Sequence, residues 1–179
     1  IAQFDLIKDK TIIINGVSKG YAMTGWRIGY MAAPKEIAAA CAKLQGQVTS
    51  GACSIAQRAS LTAITAENHF AREMNQAFKR RRDLVLEGLK QIKGMQIYTP
   101  QGAFYLFPDV TQFFGKSNGD TTINNAQDLC FYLLDQAYVA LVPGTAFGSP
   151  DNIRISYAAS DDELKEALSR IKIALDKLK

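Results

Sequence analysis

The sequence has few of the groups that build metal centres or disulfide frameworks. Its single histidine, His69, cannot form a metal site alone, and its three cysteines are odd in number and widely spaced. Cys41, Cys53 and Cys130 show no ligand pattern and are expected to be buried free thiols of a reducing compartment. No run approaches the roughly 20 apolar residues of a membrane-spanning helix, and no secretory pattern opens the chain. The expected location is therefore cytoplasmic, with no membrane partner. Internal repeats and low-complexity tracts are also missing. A net charge of +4 is mild. The densest basic run, Lys79-Arg80-Arg81-Arg82, turns through 100° per residue on a helix and makes no single face. It reads as a solvated surface with ion pairs, not a nucleic-acid footprint. What is present is ordinary for a globular chain: 47% apolar and 21% charged residues over 179 positions. That length allows one large domain or two small ones.

The segment Asn15 to Tyr30 stands out. The apolar run Thr11 to Ile14 before it reads as a buried strand, and polarity then changes abruptly at Asn15, Gly16, Ser18, Lys19 and Gly20. Arg27 follows between Trp26 and Ile28, at the start of a second strand expected over Trp26 to Met31. The spacing admits two readings: a surface lysine and arginine, or two cations facing a ligand cleft beyond strand ends. Helices are expected over Lys35 to Gln45, from an N-cap at Ser54 through Ile64, and over Glu67 to Lys93 with Gly94 as its stop. Short strands follow over Met95 to Thr99, Ala103 to Phe107 and Tyr138 to Val142, with a polar surface loop over Thr111 to Asn125. Asn125 should cap a helix through Gln136. Residues Asn152 to Tyr157 alternate, with Ile153, Ile155 and Tyr157 on one face and Asn152, Arg154 and Ser156 on the other. Ser160 and Glu163 form a capping box for a last helix with the apolar stripe Leu164, Leu168, Ile171 and Leu175.

Ser18-Lys19-Gly20-Tyr21-Ala22-Met23-Thr24-Gly25-Trp26-Arg27-Ile28-Gly29-Tyr30 resembles the cofactor-lysine segment of the class I/II aminotransferases, the fold-type I enzymes that use pyridoxal 5'-phosphate. It is closest to the aspartate aminotransferase branch. The likeness continues, in the family's order, through Gly102 to Phe107, Val142 to Gly148 and Ile153 to Ala158. The implied fold is α/β and α+β, the C-terminal part of a fold-type I transferase. Residues 1–65 would be a remnant of the large cofactor-binding domain, and residues 66–179 a complete small domain. Ile1 is not an initiator methionine, and the chain is read as a C-terminal fragment.

The resemblance also implies roles. Lys19 would hold the cofactor through a Schiff base and, once released, shuttle the substrate proton; amine attack needs the unprotonated form, which desolvation and cationic neighbours favour. Arg27 would clamp the phosphate with its planar fork of donors, and Ser18 would add a hydroxyl. Gly16 stands where many relatives carry a serine, which thins the phosphate cup on that side. Arg154 would bind the substrate α-carboxylate; buried without an anion it would cost several kcal/mol. Phe104 and Phe147 are either cleft walls or core. No metal is implied. The expected reaction moves an amino group from an amino acid, aspartate, to a 2-oxo acid, 2-oxoglutarate, in a parent homodimer. Alternatives are an aromatic or branched-chain aminotransferase, or an aminotransferase-like effector domain of a transcription regulator. The isolated chain is expected to be inactive. The resemblance implies that the family's ring-nitrogen aspartate, its ring-contacting asparagine and tyrosine, and its glycine-rich phosphate loop would all lie upstream of Ile1.

Overall fold

The computed structural model describes residues 1–67 and 69–179, which form two compact units, Ile1–Glu73 and Met74–Lys179. In the first unit a short helix α1 (Asp5–Lys8) precedes an antiparallel pair, β1 (Ile13–Gly16) and β2 (Gly29–Ala32), followed by α2 (Lys35–Val48) and α3 (Ser54–Thr65). The isoleucine run is not a buried strand. Ile12, Ile13 and Ile14 are all exposed, because among the described residues β1 has β2 as its single sheet neighbour. The buried centre is small: Val17, Ile28 and Ala56, with Tyr21 and Met23 against it. Pro34 precedes α2 as expected, since its missing N–H is not needed in a first turn. Cys53, not Ser54, occupies the N-cap of α3. Cys41 and Cys53 are exposed and Cys130 is buried, all three as free thiols, so burial holds for one of them.

Helix α4 (His69–Lys90) begins beyond the expected start at Glu67, and Asn68 lies outside the described residues. It ends before Gly94, whose φ of 104° suits the turn that follows. In the second unit, β3 (Tyr105–Leu106), β7 (Ile153–Ser156) and β6 (Val142–Pro143) form an antiparallel sheet in the order β3-β7-β6. Helices α5 (Ala126–Ala137) and α6 (Asp161–Leu175) pack on it. Asn125 caps α5 by accepting from the Asp128 N–H, and the Ser160–Glu163 capping box starts α6. The core joins Val85 and Leu89 of α4 to Leu106, Ile153, Ile155, Leu129, Leu133 and Ile171.

Three expectations fail here. Residues 95–99 contribute a lone bridge at Gln96 instead of a strand. Tyr138 is exposed in a left-handed conformation that ends α5, so the next strand is confined to β6. The polar stretch 111–125 folds as the hairpin β4 (Ser117–Asn118) and β5 (Thr121–Thr122) and hides Phe113 and Ile123 in the core.

Candidate active site

The register of β1 and β2 runs from Ile13↔Ala32 to Gly16↔Gly29, so the connection 17–28 leaves and re-enters the sheet at one end. Lys19, Ser18 and Arg27 all belong to this connection. Its two ends are pinned by buried residues: Val17 beside Ser18, and Ile28 beside Arg27. The Val17 N–H donates to the Ile28 carbonyl. A Cβ on Gly16 would stand 3.1 Å from that same oxygen, so glycine permits the close approach that shapes the sheet end.

Neither cation sits in a strand. Lys19 lies on an exposed turn closed by the Tyr21 N–H donating to the Val17 carbonyl at 3.2 Å and the Ala22 N–H to the Lys19 carbonyl at 3.3 Å. Residues Thr24–Trp26 form a 3-10 turn, and Arg27 follows with φ 55° and ψ 48°. That left-handed backbone is incompatible with the expected strand from Trp26, so β2 starts at Gly29. Left-handed geometry at a non-glycine residue is costly and tends to persist at functional sites. The Arg27 Nη1 donates to the Thr24 carbonyl at 3.1 Å, which ties the guanidinium back across its own turn.

Arg27 lines a concavity of about 630 Å³ together with Gln45 and Thr49 of α2 and with Cys53, Ile55 and Ala56 at the start of α3. Backbone N–H groups of Ala56 and Ile55 hold the Cys53 thiol below its usual 9.0. Among the described residues no carboxylate pairs with Arg27, so most of its donor fork is available to an anion. A lysine amine, an arginine fork and a half-buried serine in one connection fit pyridoxal 5'-phosphate, the first for its aldehyde and the other two for its phosphate.

Arg154 stands in the second unit, on the open face of β7. Ile153 and Ile155, its strand neighbours, are buried on the other face, as the alternation predicts. Its Cζ lies 4.5 Å from the Tyr105 ring centroid and 4.5 Å from that of Phe147. Of the two phenylalanines expected as wall or core, Phe147 covers the guanidinium, whereas Phe104 packs against the core with its ring 5.7 Å from Phe78. Tyr105 was not foreseen. The signal that finds it is cross-strand: Tyr105 pairs with Ser156, which puts it diagonal to Arg154 on one face.

The sequence matches the family described as aminotransferase class I and II over residues 3–171. It is 49% identical over 175 residues to the bifunctional aspartate aminotransferase and glutamate/aspartate-prephenate aminotransferase of Petunia hybrida, covering 96% of this chain and 36% of that protein. An aspartate aminotransferase of Rhizobium meliloti (strain 1021) is 49% identical over 173 residues, covering 96% of this chain and 42% of the relative. The crystal structure of the aspartate aminotransferase from Rhizobium meliloti superposes with a TM-score of 0.93 at 48% identity, over 99% of this chain and 45% of that one. The chain thus spans less than half the length of these relatives. A match over nearly every residue identifies this chain as a member of the class I and II aminotransferases, fold-type I proteins whose cofactor is pyridoxal 5'-phosphate.

Proposed function

We propose that the protein to which this chain belongs transfers an amino group from an amino acid, aspartate, to a 2-oxo acid, 2-oxoglutarate. The observation that carries this reading is the joint presence of Lys19 and Arg27 in the single connection between β1 and β2. When bound, pyridoxal phosphate supplies an aldehyde for covalent attachment and a conjugated ring that accepts the electrons freed at the substrate Cα.

The chain's own residues do the rest. The Lys19 Nζ would be the attachment point for the aldehyde and, as a free amine, the base that would take the proton from the substrate Cα. The Arg27 guanidinium holds the phosphate through charge-assisted hydrogen bonds, with the Ser18 hydroxyl beside it. The Arg154 fork receives the substrate α-carboxylate and so orients the Cα–H bond. Residues 1–65 are assigned to the large cofactor-binding domain and residues 66–179 to the small domain. The working enzyme is a cytoplasmic homodimer, and the 179-residue chain alone does not turn over substrate.

Borohydride reduction of the full-length protein loaded with pyridoxal phosphate, followed by peptide mapping, tests the core of this reading. The label belongs on Lys19; a label on any other lysine refutes it. A second reading, prephenate as amino acceptor, is supported by the name of the Petunia relative. Rates across 2-oxo acids at fixed aspartate separate the two, and rates across aspartate, aromatic and branched-chain donors test the donor.

A further inference from the structure

We propose that Tyr105 and Phe147 are positioning residues that clamp the Arg154 guanidinium flat between two rings, so that only its N–H edge meets the substrate carboxylate. This rests on the assignment of Arg154 above. The second unit has five arginines, and four of them pair with carboxylates: Arg80 and Arg81 with Asp161, Arg82 with Asp83, and Arg170 with Glu166. Among the described residues no carboxylate or carbonyl is bonded to Arg154. What holds it is aromatic, with both rings 4.5 Å from Cζ.

The difference has a chemical meaning. A carboxylate that oriented the arginine would occupy the very donors the substrate needs and would cancel its charge. Two ring faces attract the cation through their quadrupoles and accept none of its edge hydrogen bonds in the guanidinium plane. With a ring 4.5 Å from Cζ on each of two elements, an incoming carboxylate is directed to the N–H groups the rings leave free, where the two-pronged geometry is best.

Each ring is itself fixed by the fold. Tyr105 is set by its pairing with Ser156 in the sheet. Phe147 closes the 3-10 turn Gly144–Phe147 and meets Phe107 edge-on at 6.0 Å. The turn is anchored at Gly144, whose N–H donates to the Asn152 carbonyl at 2.7 Å and whose carbonyl accepts from the Ser149 N–H at 3.0 Å. Asn152 immediately precedes β7, so the turn carrying Phe147 is fastened to the strand carrying Arg154.

The test uses the full-length holoenzyme and succinate as an unreactive dicarboxylate. Phe147→Leu should weaken succinate roughly five- to twentyfold. It should raise KM for the amino-acid donor by a similar factor, leave kcat within about twofold, and spare cofactor affinity. Phe147→Tyr should restore both constants, and Tyr105→Leu should repeat the KM effect on an independent element. An amine donor that lacks the α-carboxylate should react equally well with wild type and Phe147→Leu. The clamp is overturned if Phe147→Leu lowers kcat at constant KM, slows the amine as much as the amino acid, or leaves succinate binding unchanged while Arg154→Lys weakens it. If Arg154→Lys itself leaves succinate affinity intact, the carboxylate assignment falls and the clamp with it.

Discussion

Two glycines of the second unit make a graded prediction about stability. A Cβ built on Gly144 would lie 2.1 Å from the Ser149 carbonyl oxygen and 2.5 Å from that of Asn152. Both are backbone atoms of the loop that accepts and returns the Gly144 hydrogen bonds, so no rotamer change relieves the collision. Gly144→Ala must open that loop. Overpacking costs about 1–3 kcal/mol, and two weakened hydrogen bonds add about 1 kcal/mol each, for a total of about 3–5 kcal/mol. At Gly88 the added Cβ would also be close, 2.6 Å from Cδ1 of Leu168, but that atom ends a flexible side chain. A displaced leucine costs about 1 kcal/mol, and alanine returns about 1 kcal/mol of helix propensity inside α4. Gly88→Ala should therefore leave stability within about 1 kcal/mol of wild type. Thermal melting of the full-length protein ranks the pair, and native-state hydrogen exchange across Val142–Ser156 localises the damage from Gly144→Ala. Equal melting temperatures for Gly144→Ala and wild type, or a larger loss for Gly88→Ala, would refute the reasoning.

Further outcomes concern caps, protons and cofactor. Ser160→Ala removes the side-chain half of the α6 capping box and should cost about 1 kcal/mol; an unchanged denaturation midpoint contradicts it. Asp161 is held below its usual 3.8 chiefly by the Arg80 hydrogen bond, and Glu163 below its usual 4.5 chiefly by the Ser160 hydroxyl. Depressed folded values mean that this stability is complete above about pH 5 and is lost as pH falls below the usual values and through the folded ones. The double variant Asp161→Asn, Glu163→Gln should flatten the acid limb of a stability–pH curve, and an identical limb would count against it. Burial pushes the Cys130 thiol up to about 11. Its contribution is present below pH 9 and is lost as pH rises from 9 through 11, and native Cys130 should resist alkylation until the protein unfolds. Rapid native labelling would contradict the burial. Arg27→Lys keeps the charge but loses the fork, and should weaken pyridoxal phosphate about tenfold or more in equilibrium dialysis. Unaltered retention would remove Arg27 from the phosphate site.

Local chemistry was legible in the sequence wherever one element's own residues decide the outcome. The Ser160–Glu163 box, the Asn125 cap and the alternation of β7 need only nearby residues, and each is found as expected. The motifs around Lys19, Arg27 and Arg154 carried the family. Burial of an apolar run was not legible, because it depends on neighbours. Thr11 to Ile14 has the composition of a two-sided strand, yet β1 meets one strand here and its isoleucines are exposed. Phe113 and Ile123 erred the other way: isolated among polar residues, they have no periodicity to reveal that they fill the core. Arg27 looked like a strand residue because sequence does not encode a positive φ at arginine. The rings on Arg154 arise from a sheet pairing and a turn that no spacing rule reaches.

The alternation in β7 has a wider consequence. Ile153 and Ile155 fill the interior while Arg154, between them, points the other way. Sliding that strand by a single position would bury a cation and expose two aliphatic chains, so the heading of the guanidinium and the survival of the domain are one decision. Sequence change around this strand therefore has a stationary charge to work around: loops beyond the strand can vary, but the charge cannot be re-aimed without unfolding the domain.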